Sequence, residues 1–124
     1  MELIIGGAYQ GKLDYAKEKY SLEDKDIYTC EEGPAELGAK CIYGLESYTL
    51  WCVKNNKEPA DYFKEDKGLW ENSILICCDI SCGVVPIDPV MRAWREANGR
   101  LVNFLSGEAD SVVRLFCGLP QVIK

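Results

Sequence analysis

A short apolar run, Leu3-Ile4-Ile5, leads straight into Gly6-Gly7-Ala8-Tyr9-Gln10-Gly11-Lys12. The run reads as a buried strand, and Leu13–Tyr20 reads as a short helix. A strand, a glycine-rich loop and a helix in that order are the context of a phosphate-binding loop. Glycines let successive backbone N–H groups turn inward. With the helix N-terminus and the Lys12 ammonium, they make a pocket for an anion. The spacing Gly6-x-x-x-x-Gly11-Lys12 is complete, but Leu13 stands where Ser or Thr ordinarily supplies a hydroxyl to Mg²⁺. The candidate nucleotide contacts are therefore Gly6, Gly7, Ala8, Tyr9, Gln10, Gly11, Lys12 and Leu13, with Mg²⁺ binding weakened by Leu13. The alternative is a plain turn between the first strand and helix, with Lys12 an exposed, solvated charge.

The remaining composition narrows the function. At 124 residues, 48% apolar and 27% charged, residues 1–124 are expected to form one α/β domain. A patch-poor chain of net charge −6 is a poor candidate for polymeric nucleic acid, which requires clustered Lys and Arg, whereas one loop suffices for a single nucleotide. No run reaches the length of a membrane span and no leader pattern is present, so a cytoplasmic protein without membrane partners is expected. The chain has no histidine. Ser-His-Asp and Cys-His units are thereby excluded, as is any histidine-borne intermediate. The seven cysteines include no C-x-x-C pair, and Cys77, Cys78 and Cys117 fall in strand-like runs. They read as reduced structural thiols, a thiol redox or metal role being the alternative.

Along the chain, Asp26–Cys30 predicts a second strand, and Glu31-Glu32 follow it as loop carboxylates that either face a ligand or are solvated. Ala39–Asn56 has helical spacing, ended by Pro59, and Ala60–Asn72 predicts another short helix. Ser73–Cys78 is a continuously apolar strand, as a strand covered on both faces should be. Asp79 closes it, either as a Mg²⁺-directing acid or as a simple strand end. After a loop, Asp88 and Pro89 start a helix as N-cap and first position. That helix is interrupted at Gly99 and fades at Ser106-Gly107. Ser111–Cys117 predicts a further strand, Gly118-Leu119-Pro120 a turn, and Gln121–Lys124 a short terminal strand. This order predicts a three-layer, P-loop NTPase-like α/β domain with a mainly parallel sheet.

The last third carries a resemblance. Asp79-Ile80-Ser81-Cys82-Gly83-Val84-Val85-Pro86, then Arg92, Trp94-Arg95-Glu96, Gly99-Arg100, Ala109-Asp110 and Cys117-Gly118-Leu119-Pro120 resemble the adenosylcobinamide kinase/adenosylcobinamide-phosphate guanylyltransferase family. Gly6–Lys12 is similar to that family's Gly-Gly-Ala-Arg-Ser-Gly-Lys-Ser. The resemblance implies a recombinase-like P-loop protein that phosphorylates adenosylcobinamide with ATP or GTP in cobalamin biosynthesis and assembles as a homotrimer. The family's GMP transfer through a histidine is absent here. Asp79 stands at the family's Glu, and Val102 at its helix asparagine. Thr49-Leu50-Trp51 resembles a Leu-Thr-Leu-Trp segment without the apolar strand that should precede it.

On this reading Lys12 and the loop amides hold the β- and γ-phosphates. Lys12 and Asp79 are the catalytic candidates, with Asp79 or Glu31 directing a metal. Arg95 or Arg100 offsets developing charge. A second hypothesis keeps the scaffold without catalysis, as a regulatory or assembly partner of a full-length enzyme.

Overall fold

The computed structural model describes residues 1–80 and 87–124. The strands are β1 (Glu2–Gly6), β2 (Ile27–Thr29), β3 (Cys41–Tyr43), β4 (Ile74–Cys78), β5 (Ser111–Phe116) and β6 (Leu119–Val122). The helices are α1 (Lys12–Tyr20), α2 (Leu45–Lys54), α3 (Pro59–Glu65) and α4 (Pro89–Glu108). The sheet runs β2-β3-β4-β1-β5-β6. All neighbouring pairs are parallel except β5 with β6.

Strand alternation splits the apolar residues between two faces. Ile4, Cys41, Ile74, Ile76, Val113 and Leu115 pack with Ala16 of α1. Leu3, Ile42, Leu75, Cys77 and Val112 pack on the other face with Leu45 and Tyr48 of α2, Phe63 of α3, and Leu101 and Leu105 of α4. The result is three layers, α1 on one side and α2, α3 and α4 on the other. Trp70 anchors the second face: it is 1% exposed, and its Nε1 donates to Phe63 O at 2.8 Å.

The segment 39–56 differs from its expected single helix. Cys41-Ile42-Tyr43 is a strand between β2 and β4, and Gly44 at φ 81° turns the chain into α2. Three residues are too few to show alternation, and their spacing continues the helical stripe behind them. A strand thus precedes the helix that carries Thr49-Leu50-Trp51. The second expected helix is shorter, since α3 ends at Glu65 and a 3₁₀ turn covers Lys67–Leu69.

Asp88 caps α4 by accepting from the Val90 N–H at 2.8 Å, with Pro89 at the first position, as expected. Gly99 does not interrupt that helix, which continues through Ser106 and Gly107 to Glu108. Packing of Leu101 and Leu105 on the sheet outweighs the roughly 1 kcal/mol that an interior glycine costs. Cys117 lies just beyond β5 rather than within it. Cys117 and Gly118, at φ 52° and 76°, form the tight turn into β6, so Leu119 and Pro120 are strand residues. No helix among the described residues is long and apolar enough to cross a membrane.

Candidate functional site

The chain leaves β1 through α1 for β2 at the far end of the parallel order. It leaves β4 through α4 for β5, on the other side of β1. Helices α1 and α4 therefore diverge to opposite faces, and a crevice opens at the carboxyl ends of β1 and β4. The Gly6–Lys12 loop and Asp79 both sit at this edge. Gly6 is in register with Cys78 and Leu115, and the Asp79 N–H donates to Gly6 O at 2.7 Å.

The loop borders an open cleft of about 590 Å³, whose other walls include Tyr43, Glu46, Cys78 and Trp94. Gly11 takes φ 83° to start α1, and Lys12 is the first helical residue. Contrary to the reading of an exposed turn lysine, Lys12 is only 7% exposed, and its Nζ donates to Gly7 O at 2.6 Å. Two bonds tie the loop to the β5–β6 turn: the Gly118 N–H donates to Gln10 O at 3.2 Å, and the Cys117 N–H to Gln10 Oε1. Tyr9 is fully exposed at the loop tip with φ 60°. Leu13 faces the cleft but also packs on the α1 core.

Glu46 is the half-buried carboxylate of this cleft, which the exposed Asp14 of α1 also lines, and the sequence reading missed it. It lies in the first turn of α2, directly after β3. Its Oε1 accepts from the Cys78 N–H at 3.1 Å. Burial pushes its carboxyl above the ordinary glutamate range, opposed by the Cys78 and Glu46 backbone N–H groups and by the Lys12 charge. A polar network holds α2 and α4 around it. Trp94 Nε1 donates to Glu46 O at 2.8 Å and to Thr49 Oγ1 at 3.0 Å. The Thr49 hydroxyl lies 3.0 Å from Asn98 Oδ1, and Asn98 Nδ2 donates to Cys78 O at 3.2 Å. The signal in the sequence was Gly44: read as a helix break, it would have exposed β3 and placed Glu46 at a strand's carboxyl end.

A raised carboxyl pKa binds protons more tightly in the folded state. Stability is thus lost as pH rises from about 4.5, the ordinary value, through the folded value. Glu46→Gln keeps the acceptor for Cys78 and removes the buried charge. The variant's melting temperature is expected to exceed that of the wild type by a margin that grows with pH above 4.5. A margin that stays flat from pH 4 to 7 contradicts this assignment.

The other expected residues divide. Asp79 and Arg95 line a separate cavity of about 180 Å³ under α4, which shares Cys78 with the loop cleft. Arg100 is on the α3 side of α4 and bonds Glu58 through Nε and Nη2 at 3.2 and 3.1 Å. Glu31 is exposed and lies outside both cavities, while its neighbour Glu32 pairs with Lys54 at 2.6 Å. The Ser81–Pro86 part of the motif lies outside the described residues.

Mg²⁺ binds protein through one or two carboxylates and completes its shell with phosphate oxygens and water. Glu46, across the cleft from Lys12, fits that sparse donor set, and Leu13 contributes nothing to it. No group of three or more Cys, Asp or Glu able to hold a metal occurs among the described residues. Cys30, Cys41, Cys52 and Cys77 are buried free thiols. Burial pushes Cys30 up to about 12 and Cys41 to about 11, which holds both as thiols rather than reactive thiolates. Comparison of the chain with protein-family models and with curated protein sequences returns no match.

Proposed function

We propose that the chain binds the phosphates of a nucleotide, ATP or GTP, in the cleft between the Gly6–Lys12 loop and Glu46. The observation that carries this is Lys12, buried at the head of α1 at the carboxyl end of a central strand, with a carboxylate in the same cleft. Loop amides and the ammonium take the anion. Glu46, rather than Asp79, meets any Mg²⁺ that the nucleotide brings. Phosphoryl transfer asks for positioning and charge neutralisation, which such a cleft supplies. The activity is that of a short adenosylcobinamide-kinase-like phosphotransferase without guanylyltransferase function, in a homo-oligomer that the family resemblance makes a trimer.

A non-catalytic scaffold with a regulatory or assembly role is the second reading. It is favoured by Leu13, whose side chain packs on the α1 core instead of offering a metal ligand. Equilibrium binding of labelled ATP and GTP, with and without Mg²⁺, tests the proposal: absence of binding at millimolar nucleotide rejects it. Binding without turnover selects the scaffold.

Leu13→Ser separates the two further. It is expected to cost about 1 kcal/mol of stability through lost packing. In return, Mg²⁺ should tighten ATP binding by about tenfold in the variant and by much less in the wild type. An unchanged Mg²⁺ response in Leu13→Ser would mean that the position does not face a bound metal.

A further inference from the structure

We propose that the free edge of β6 pairs with the same edge of a second copy of the chain, joining two sheets about a twofold axis. Strand β6 ends the sheet order, and all four of its residues are exposed. Phe116, Leu119, Val122 and Ile123 are 60, 70, 74 and 56% exposed. Together they leave roughly 400 Å² of apolar surface along one border of the sheet, the size at which exposed patches mark interaction sites. Native edge strands are ordinarily guarded by charge. Here Leu119-Pro120-Gln121-Val122-Ile123 carries none, in a chain that is 27% charged.

Backbone direction fixes what this edge offers. The Ile123 N–H donates to Val112 O at 2.8 Å, so Ile123 turns its polar groups toward β5. Alternation along an antiparallel strand turns Leu119 and Gln121 the same way, and Pro120 and Val122 outward. Proline has no N–H. The outward groups are therefore the Val122 N–H and the carbonyls of Pro120 and Val122.

The stretch matches its own inverse, and this selects a second copy as the occupant. With the Gln121 residues of the two copies facing across the axis, Leu119 lies beside Ile123 of the second copy, and Pro120 beside its Val122. The Val122 N–H of each copy then donates to Pro120 O of the other. Sliding the pair by two residues sets Gln121 against Leu119 or Ile123 and breaks the apolar match. Such a contact is isologous and closes at two chains. A seam this short falls below the roughly 800 Å² per partner of a standard interface, so a Kd on the order of 10 µM is expected. The inference does not rest on nucleotide binding at Lys12.

Sedimentation equilibrium of the wild-type protein from about 1 to 500 µM tests it. The expected mass at the upper end is that of two 13.9 kDa chains, or of six where the threefold assembly implied by the resemblance also forms. Val122→Pro removes the outward donor and no bond to β5, and should halve that mass with an unchanged far-UV circular dichroism spectrum. If Val122→Pro does not fold, Gln121→Glu replaces it. Arg114 is the cross-strand neighbour of position 121 and accommodates the new charge within one chain. Two such charges opposed across the axis should weaken association at least threefold at low salt. The register is read with Gln121→Cys in a Cys117→Ser background. Residues opposed in a non-hydrogen-bonded pair lie within disulfide reach, so mild oxidation should link the two chains through position 121 of each. The proposal is overturned if the wild type is a monomer or a trimer throughout, if the folded edge variant keeps the wild-type association, or if oxidation gives no link between the two positions 121.

Discussion

Lys12→Ala is expected to weaken binding of ATP or inorganic phosphate by about 1.5–3 kcal/mol, or about 10–150-fold. In the unliganded cleft the ammonium is held by Gly7 O at 2.6 Å, at a residue only 7% exposed. A bound phosphate offers that ammonium a charged acceptor in place of a neutral carbonyl, and charge-assisted hydrogen bonds are the stronger kind. Alanine removes the charge and leaves only the loop amides. The loss should be the same with and without Mg²⁺, because neither Lys12 nor Leu13 is a metal ligand. Because Lys12 is buried and bonded, the variant should also lose about 1 kcal/mol of stability. Binding is therefore to be measured where both proteins are fully folded. Equal phosphate affinity in Lys12→Ala and wild type would reduce Gly6–Lys12 to a turn.

Gly6→Ala should destabilise the fold by about 3 kcal/mol, whatever the loop binds. A Cβ at Gly6 would stand 2.7 Å from Leu115 O, a backbone atom of the neighbouring strand. Strand β1 is hydrogen-bonded to β4 on one side and β5 on the other, so neither backbone can retreat without breaking a ladder. The φ of +159° adds strain for any L side chain. Gly7→Ala is the control. Its Cβ would meet only Gln10 Cγ at 3.8 Å, an ordinary contact, and its cost should stay within about 0.5 kcal/mol. Urea unfolding of the two variants separates a glycine needed for close packing from one that is merely in the loop. Equal losses would place the constraint in the loop's conformation instead of in the β1–β5 contact.

The elements legible in the sequence are those whose signal is local and long enough to repeat. Ile74–Cys78 is apolar at every position, as a strand covered by helices on both faces must be. Asp88 and Pro89 marked the start of α4 because capping depends on only a few neighbouring residues. The strand–glycine loop–helix order placed Lys12 and Asp79 at one edge, since parallel strands put their carboxyl ends on the same side.

What failed was short or was decided at a distance. Cys41–Tyr43 is three residues long, and only pairing with Ile27–Thr29 and Ile74–Ile76 makes it a strand. With β3 missed, nothing singled out Glu46, whose position and proton affinity are set by the Cys78 N–H and by burial. Likewise the sequence left Lys12 as either a phosphate ligand or a solvated charge, and the folded loop buries it. Asp79 and Arg95 were both legible as site residues, but only the path of α4 put them in a cavity beside the loop cleft. Local patterns determined the first strand and helix, the long apolar strand Ile74–Cys78 and the capped start of α4. Which carboxylate faces the lysine was decided by tertiary structure, because Glu46 and Lys12 are 34 residues apart in the chain and meet only when β3, β4 and β1 align in one sheet.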